Sequence, residues 1–437
     1  MDFAFNLLII IADQFMLFII NMLVARNAGP ALFGDFTVAT NALLLIATVI
    51  TFGIDSIIAY YVPKFYVKKQ YHDIVALTVS VKNFLTPIYR TLFLGGILLS
   101  LGIIGLSFSL EHLKFFEIGH PLALFLWGAV AISLYSIYLQ FLRAVDYMRT
   151  AVIMSLVQTI FYFLGGLVTY FYLYPLIFHD DPNYFPHIMI MAFLLSYMLF
   201  LMVMVVLQRS TKLQIFLNLK GKTAMPIEVW RVKIYGYTIQ NLNKYIFTAI
   251  PLLVIEWLGH NDHEVGLFSA VVSIISLGFI AISPIGILIG PDISASFAHG
   301  REVLLKTMRK YLAICAAIAC IIALILGLFA EEILKLYQSS FLDALPYTYI
   351  CLINIFTYAI SMPLSKMIQY SKEGSRIGAR LAISLLLLQF MACALLIPTL
   401  ELKGAIICYI GINIIYNICM IAIAVGIYRY DSFAKDF

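Results

Sequence analysis

The stretch Ile234–Trp257, IYGYTIQNLNKYIFTAIPLLVIEW, decides how this chain folds. It is long enough to cross a bilayer, because a spanning helix needs about 20 mostly apolar residues. It nevertheless carries Lys244 near its middle. A cation at the bilayer centre costs about 2.5–3.5 kcal/mol on insertion scales, so we expect Lys244 to face a polar interior instead of lipid.

Other polar side chains recur around Lys244 at helical spacing. Residues three or four positions apart share one face of a helix. The positions i, i+3, i+4, i+7 and i+11 are held by Tyr237, Gln240, Asn241, Lys244 and Thr248. These five residues, which we call the Lys244 stripe, predict a membrane helix with one polar face.

The composition of the 437 residues is that of a helical membrane protein. Hydrophobic residues make up 63% and charged residues 12%, with a mean hydropathy of +0.98. Soluble domains carry about 25% charged residues. The apolar runs are long and continuous, whereas a transmembrane barrel needs short alternating segments. The predicted class is an all-α polytopic membrane protein.

The hydropathy pattern predicts about 12 transmembrane helices. The predicted spans are 3–25, 36–62, 86–109, 119–142, 149–173, 186–207, 234–257, 264–290, 310–330, 344–368, 377–398 and 403–428. Between the sixth and seventh spans lies the basic connection 209–233, predicted to be a linker on the membrane surface. The chain therefore divides into an N-terminal six-helix lobe, 1–208, the linker 209–233, and a C-terminal six-helix lobe, 234–437.

The basic residues lie almost all in the loops on one side of these spans. The alternate loops hold only Arg26, Lys114, Lys335 and Lys403. The positive-inside rule then places both termini and the linker in the cytoplasm. Since topology accounts for the basic clusters, no nucleic-acid partner is predicted.

The two halves resemble each other. Phe33–Phe36 (FGDF) aligns with Val265–Phe268 (VGLF) at an offset of 232 positions, because 265 − 33 = 232. Each half then continues into a long apolar helix and a basic inner loop. Duplicated six-helix halves are typical of transporters with substrate sites near the bilayer midplane.

The segment Ala25–Phe65 resembles the first two helices of the polysaccharide (O-antigen type) flippases of the multidrug/oligosaccharidyl-lipid/polysaccharide exporter superfamily. The motifs that carry the resemblance are Gly29 with Pro30, Phe33 with Gly34, Gly53 with Ile54, and Pro63. Many members carry a basic residue just before this last proline, where the present chain has Tyr60 and Tyr61.

The resemblance implies two six-helix lobes around a central cavity that opens alternately to each side. It also implies a substrate, a lipid-linked oligosaccharide or polysaccharide precursor on an undecaprenyl-diphosphate carrier. The partners expected are this glycan, membrane lipids and a coupling proton or cation.

Asp13 and Lys244 are charges on the first helix of each predicted lobe, and the repeat offset maps Asp13 onto Tyr245, because 13 + 232 = 245. Two interpretations stay open. The two side chains form a structural salt bridge between lobes, or they line a hydrated cavity. In the second case Lys244 meets a diphosphate or sugar and Asp13 carries the coupling ion.

Further polar residues are candidates for the transport path. Gln14 and Asn21 lie seven residues apart on the first helix, where they either bind sugar hydroxyls or join helices by hydrogen bonds. Asp55 and Asp292 lie near the inner ends of the second helix of each lobe. They form a gate or ion site, or they are interfacial acids paired with basic neighbours, namely Lys64 and Arg301.

The sequence contains no catalytic motif, no P-loop and no pattern for a metal or cofactor, so no enzyme activity is predicted. The alternative is a proton- or sodium-coupled multidrug exporter of the same superfamily, with Asp13 as the ion ligand. Lys244 disfavours cationic drugs, because it would repel them. A membrane glycosyltransferase would need a large outer loop, which this chain lacks.

Overall fold

The computed structural model describes residues 2–109, 121–145, 147–178, 184–210, 223–231, 233–282, 300–371 and 374–430, together with 285, 289, 292, 293, 296 and 297. Across these residues the chain forms helices joined by turns, without any β-strand. The predicted all-α class is therefore confirmed.

The helices of the first half follow the long apolar runs. They are α1 (Asp2–Ile50), α2 (Ile54–Val67), α3 (Tyr71–Ser109), α4 (Pro121–Phe125), α5 (Gly128–Ala144), α6 (Met148–Val168), α7 (Tyr174–Phe178) and α8 (Phe185–Ser210). A π-helical turn, Thr169–Leu173, joins α6 to α7.

The second half begins with one short helix and continues with long ones. Its helices are α9 (Glu228–Arg231), α10 (Ile234–Leu258), α11 (Asp262–Ile282), α12 (Arg301–Tyr337), α13 (Leu345–Cys351), α14 (Ile353–Tyr370) and α15 (Gly374–Tyr430). The 3-10 turn Ser339–Ala344 precedes α13.

Seven of the described helices are long and apolar enough to cross a membrane. The pair Ser339–Cys351 and Ile353–Ile368, bent by 43°, makes an eighth if it is counted as one span. The chain thus has the helices of a multi-pass membrane protein. The number twelve stays a prediction.

Two long helices each contain one residue with non-helical backbone. In α1 this residue is Gly29, with φ 74°, and in α15 it is Glu401, with φ 47°. Pro30 follows Gly29, and proline removes a backbone N–H and restricts φ. The chain therefore bends at Gly29, within the loop predicted after the first span, and at Glu401, within the loop predicted after the eleventh span.

The predicted second span, 36–62, is interrupted. Helix α1 ends at Ile50 and α2 begins at Ile54, with positive φ at Phe52 (52°) and Gly53 (62°). A Cβ atom on Gly53 would stand 2.7 Å from the backbone nitrogen of Thr238. The chain therefore turns where the backbone of α10 comes closest, and glycine is required there.

The chain forms two compact units. The first unit comprises Met1–Ile20 and Asp35–Leu242, and the second comprises Asn21–Gly34 and Asn243–Phe437. The second unit includes residues 21–34, which the sequence assigned to the N-terminal lobe. The first unit includes the start of α10, which the sequence assigned to the C-terminal lobe. The packing of each segment explains its place.

In the second unit, the segment 21–34 is held by aromatic and glycine contacts. The ring of Phe33 is buried edge-on against Tyr337 (5.9 Å between centroids) and Phe341 (5.8 Å). A Cβ atom on Gly34 would stand 3.0 Å from the backbone nitrogen of Gly266. Gly34 and Gly266 are the glycines that the 232-residue offset makes equivalent, so equivalent positions of the repeat meet in this unit.

In the first unit, the end of the predicted linker packs against α3. Trp230 is 0% exposed, its Nε1 donates to Ser80 Oγ at 3.1 Å, and its ring lies edge-on to Phe84. The backbone nitrogen of Met225 donates to Ala76 O at 3.0 Å. Residues 223–231 therefore belong to the packed unit. Residues 211–222 of the linker lie outside the described residues.

We expect Gly266→Ala to destabilise the protein, because the added Cβ atom would stand 1.8 Å from Pro30 O. Overpacking of this kind typically costs about 1–3 kcal/mol. The measurement is the thermal unfolding midpoint of the purified chain in detergent. Gly411→Ala is the control, because a Cβ atom there meets nothing within 4 Å. Equal midpoints for the two variants would contradict the packing described.

Candidate functional site

Asp13 is a buried acid on α1 in the first unit. Its residue is 9% exposed, and Oδ2 accepts a hydrogen bond from Gln14 Nε2 at 3.3 Å. Oδ1 is buried without a hydrogen-bond partner among the described residues. A buried carboxylate with an unsatisfied oxygen is costly unless a proton or a cation neutralises it.

Polar side chains of α6 and α8 accompany Asp13. The Thr159 side chain lies beside the Asp13 carboxyl group. Next to Thr159, Gln158 Nε2 donates to Ser196 Oγ at 2.7 Å, and Ser196 Oγ donates to Phe193 O at 2.6 Å. These side chains are buried, so a polar cluster of α1, α6 and α8 stands inside apolar helices.

Helix α5 adds a further hydroxyl pair in the same unit. Tyr135 Oη donates to Ser155 Oγ at 3.2 Å, and Tyr135 is within electrostatic range of Asp13. Carboxylate and hydroxyl oxygens suit hard cations. The described residues contain no group of three His, Cys, Asp or Glu side chains able to hold a metal ion. The carboxylate and hydroxyl oxygens of the cluster are suitable acceptors for a proton or a small cation.

Sequence reasoning identified Asp13 and Gln14 and missed their partners. Gln158, Thr159 and Ser196 are polar residues within predicted spans, and a polar residue in a span is itself a signal of function. The signal was present, but only the fold shows that α6 and α8 bring these residues to α1.

The Lys244 stripe is described in part. Asn241 is buried in the first unit, where its Nδ2 donates to Asp55 Oδ1 at 2.7 Å and its Oδ1 accepts from Ser56 Oγ at 3.2 Å. Asp55 Oδ1 also accepts from the backbone nitrogen of Ser56 at 2.8 Å. Asp55 and Asn241, predicted as members of different groups, therefore form one hydrogen-bonded site.

The rest of the stripe divides between the units. Tyr237 packs on Gly53 in the first unit, whereas Thr248 is half-buried in the second. The side chains of Gln240 and Lys244 lie outside the described residues. The pairing of Asp13 with Lys244 stays a prediction.

Other predicted site residues have separate places. Gln14 belongs to the first unit and Asn21 to the second, because the boundary falls between Ile20 and Asn21. The side chain of Lys64, a predicted partner of Asp55, lies outside the described residues.

Asp292 is exposed in the second unit and accepts a hydrogen bond from Tyr311 Oη. Its backbone oxygen accepts from Ser296 Oγ at 2.7 Å. Arg301, its predicted partner, donates from Nη2 to Arg429 O at 3.2 Å. The sequence also predicts a kinked or unwound stretch just before Asp292, because proline and glycine disfavour a continuous helix. The residues that predict it, Pro284, Gly286, Gly290 and Pro291, lie outside the described residues.

Lys233, the last residue of the predicted linker, lies over the rings of Tyr60 and Tyr61 in α2. Lys233 Nζ stands 3.3 Å from the ring centroid of Tyr60 and 5.2 Å from that of Tyr61. Tyr61 Oη donates to Val229 O at 3.0 Å, which fixes the ring against the approaching chain. A positive charge is therefore present just before Pro63, although the residues at these positions are tyrosines.

Comparison with solved structures identifies the fold. The chain is similar to a multidrug resistance MATE family transporter of the MOP superfamily in an inward-facing conformation, with a TM-score of 0.73 and 15% identity over 97% of this chain and 98% of that one. An outward-facing conformation of such a transporter gives a TM-score of 0.68 and 17% identity over 98% and 94% of the chains.

A MOP superfamily transporter from Pyrococcus furiosus, whose reverse binding-pocket polarity suggests a different function, gives a TM-score of 0.64 and 15% identity over 98% and 95% of the chains. The sequence matches no protein-family model and no curated protein. The chain thus has the fold of MATE transporters.

We expect Asp13→Asn to leave the free energy of unfolding almost unchanged, because the new amide oxygen can still accept from Gln14 Nε2 and Asp13 Oδ1 has no hydrogen-bond partner among the described residues. Asp13→Ala gives up the bond from Gln14 and should cost less than the loss of two bonds at Asp55. Asp55→Ala is the matched comparison. It removes an acceptor of two hydrogen bonds and should cost about 1–3 kcal/mol. The measurement is thermal unfolding of the purified chain in detergent. A loss of about 3–5 kcal/mol in Asp13→Ala would instead indicate a buried structural ion pair.

Proposed function

We propose that this protein is a flippase that moves a lipid-linked oligosaccharide or polysaccharide precursor across a bacterial-type plasma membrane. Its substrate is of the undecaprenyl-diphosphate type, and its mechanism is alternating access by two six-helix lobes. In this proposal the chain has twelve spans with both termini in the cytoplasm. The fold supports a transporter, because similar chains have been solved in inward-facing and outward-facing conformations.

The position of Lys233 carries the substrate assignment. Its ammonium group lies over the ring of Tyr60, close in sequence to Pro63, where many polysaccharide flippases carry a basic residue. A lysine binds phosphate as a point charge, and an aromatic ring offers an apolar face to a sugar. Lys244 would add a second cation, together with Gln240, Asn241, Tyr237 and Thr248, to line the path of the polar head.

Such a path solves the energetic problem of the substrate. Sugars and phosphates that enter hydrocarbon without partners cost several kcal/mol for each polar group. The polar head would cross through the hydrated interior while the polyprenyl chain stays in lipid. Asp13 would carry the coupling proton or cation, and protonation or ion binding would neutralise its unpartnered oxygen.

A second candidate is a proton- or sodium-coupled multidrug exporter. The polar cluster around Asp13 suits ion coupling in either kind of transporter, so it is consistent with this candidate. The solved multidrug transporters with this fold add support. The two candidates differ in the charge of the substrate, so the lysines separate them.

We expect Lys233→Ala and Lys244→Ala each to reduce surface display of the glycan about tenfold or more, because each removes a charge-assisted contact to phosphate. The measurement is glycan display by host cells that lack the native gene and express the variant. Membrane levels of the protein should stay at the wild-type level.

Two variants act as controls. Lys233→Arg retains the charge and should retain part of the display. Lys335→Ala removes an exposed lysine paired with Glu331 and Glu332 and should have no effect. Wild-type display by both alanine variants, with drug resistance lost instead, would favour the multidrug exporter.

We expect Asp13→Asn to abolish the dependence of transport on an imposed proton or sodium gradient, because an amide neither titrates nor neutralises a cation. The measurement is substrate movement in proteoliposomes with and without the gradient. Glu332→Gln is the control, because it neutralises an exposed acid that is paired with Lys335 and lies outside the predicted site. Unchanged gradient dependence in Asp13→Asn would remove Asp13 from the coupling site.

A further inference from the structure

The first unit contains a groove that none of the predicted site residues lines. Its volume is about 690 Å³, and α2, α3, α5 and α8 form its walls. Sites for small molecules measure roughly 300–1,000 Å³. The groove is therefore large enough for one ligand of that size, within a single compact unit.

Helix α3 gives the groove a basic side. Thr78, Lys82, Thr86 and Arg90 all line it and follow one another at intervals of four residues. Such spacing sets them along one slanting face of the helix. Lys82 and Arg90 are exposed, and neither side chain forms an ion pair or hydrogen bond within the described part of the chain.

The other walls are mainly apolar, with the Tyr138 side chain of α5 among them. Leu85 and Phe93 of α3 face the groove together with Leu134 and Ile137 of α5 and Met198 of α8. The lining contains no Asp, Glu, Asn, Gln or His. The groove thus combines two cations with a mainly apolar surface.

The dimensions of the basic side fit one phosphate headgroup. Lys82 and Arg90 are eight residues apart, about 12 Å along a helix that rises 1.5 Å per residue. Both side chains are long enough to turn toward a phosphate at the level of Thr86. The apolar walls continue toward Phe93, so a hydrocarbon chain attached to that phosphate has a surface to cover.

We propose that this groove binds one anionic phospholipid of the bilayer, with its phosphate between Lys82 and Arg90 and one acyl chain along α3 and α5. In the proposed topology the basic end of α3 faces the cytoplasm, which places this lipid in the inner leaflet. Basic side chains attract the negative charge of an anionic lipid headgroup. Burial of the acyl chain against the apolar walls adds favourable hydrophobic free energy. The bound lipid ties α3 to α5 and stabilises the first unit.

The test uses the purified full-length chain in detergent, with phosphatidylglycerol and phosphatidylcholine of identical acyl chains. A ligand that binds only the folded state raises the unfolding midpoint. Phosphatidylglycerol should raise it in a saturable manner, and phosphatidylcholine and inorganic phosphate should not. Native mass spectrometry should show one retained phosphatidylglycerol per chain.

Charge variants test the phosphate contact. Lys82→Gln with Arg90→Gln should weaken phosphatidylglycerol binding about tenfold or more. The matched control, Lys306→Gln with Arg309→Gln, removes an exposed lysine and arginine of α12 and should bind as the wild type does. If both double variants lose affinity equally, the attraction is diffuse and the proposed site is wrong. If the Lys82→Gln, Arg90→Gln double variant does not fold, each single variant is compared with the wild type and the control in the same binding measurement.

A space-filling variant tests the acyl chain. Leu134→Trp narrows the groove without changing charge and should weaken phosphatidylglycerol binding by a similar factor. Unchanged binding would overturn the groove as the site, as would equal stabilisation by inorganic phosphate or phosphatidylcholine.

Tighter binding of undecaprenyl diphosphate than of phosphatidylglycerol, lost in the same variants, would overturn the phospholipid assignment. Failure of this site leaves the flippase proposal standing, because that proposal is tested through Lys233.

Discussion

A polar group within hydrocarbon needs its hydrogen-bond partners inside the protein, and the described structure depends on this constraint. In the first unit the hydroxyl groups of Tyr89, Ser133 and Thr51 form a chain with spacings of 2.5 Å, and Thr51 Oγ1 completes it by donating to Ala47 O at 2.6 Å. Trp230 reaches Ser80 in the same unit, and Asn241 reaches Asp55. The buried acid Asp13 has one oxygen without a hydrogen-bond partner in the described part of the chain, which is why an exchangeable proton or cation is the proposed occupant.

Much of the fold follows from the sequence. Long apolar runs predict helices, and Gly29 with Pro30 predicts a break, because glycine permits positive φ and proline removes a donor. The 232-residue repeat also has a physical counterpart, since Gly34 meets Gly266 where no larger residue fits. The exchange of segments between the units was not predictable. Hydropathy identifies a span but not the neighbours of each half of it, and the positions of 21–34 and of the start of α10 depend on contacts such as those of Phe33 and Trp230.

The candidate site was predictable residue by residue but not as an arrangement. Asp13 and Asn241 stand out as polar residues in apolar helices, yet nothing local shows that Asn241 meets Asp55 or that Thr159 lies beside Asp13. Lys233 is the clearest case. In the sequence it ends a basic linker, whereas in the fold its charge lies over Tyr60. In the sequence Lys233 lies more than 170 positions from Tyr60 and Tyr61, a distance that local sequence patterns do not span.

The most direct measurement of the central claim is reconstitution of the purified protein into liposomes that contain a short undecaprenyl-diphosphate-linked oligosaccharide. A membrane-impermeant lectin or glycosidase added outside reports how much glycan reaches the outer leaflet over time. The account predicts that glycan exposure rises above the level of protein-free liposomes and that Lys233→Ala suppresses the rise. Exposure equal to that of protein-free liposomes, in vesicles where the same preparation moves a cationic drug, would contradict the flippase assignment.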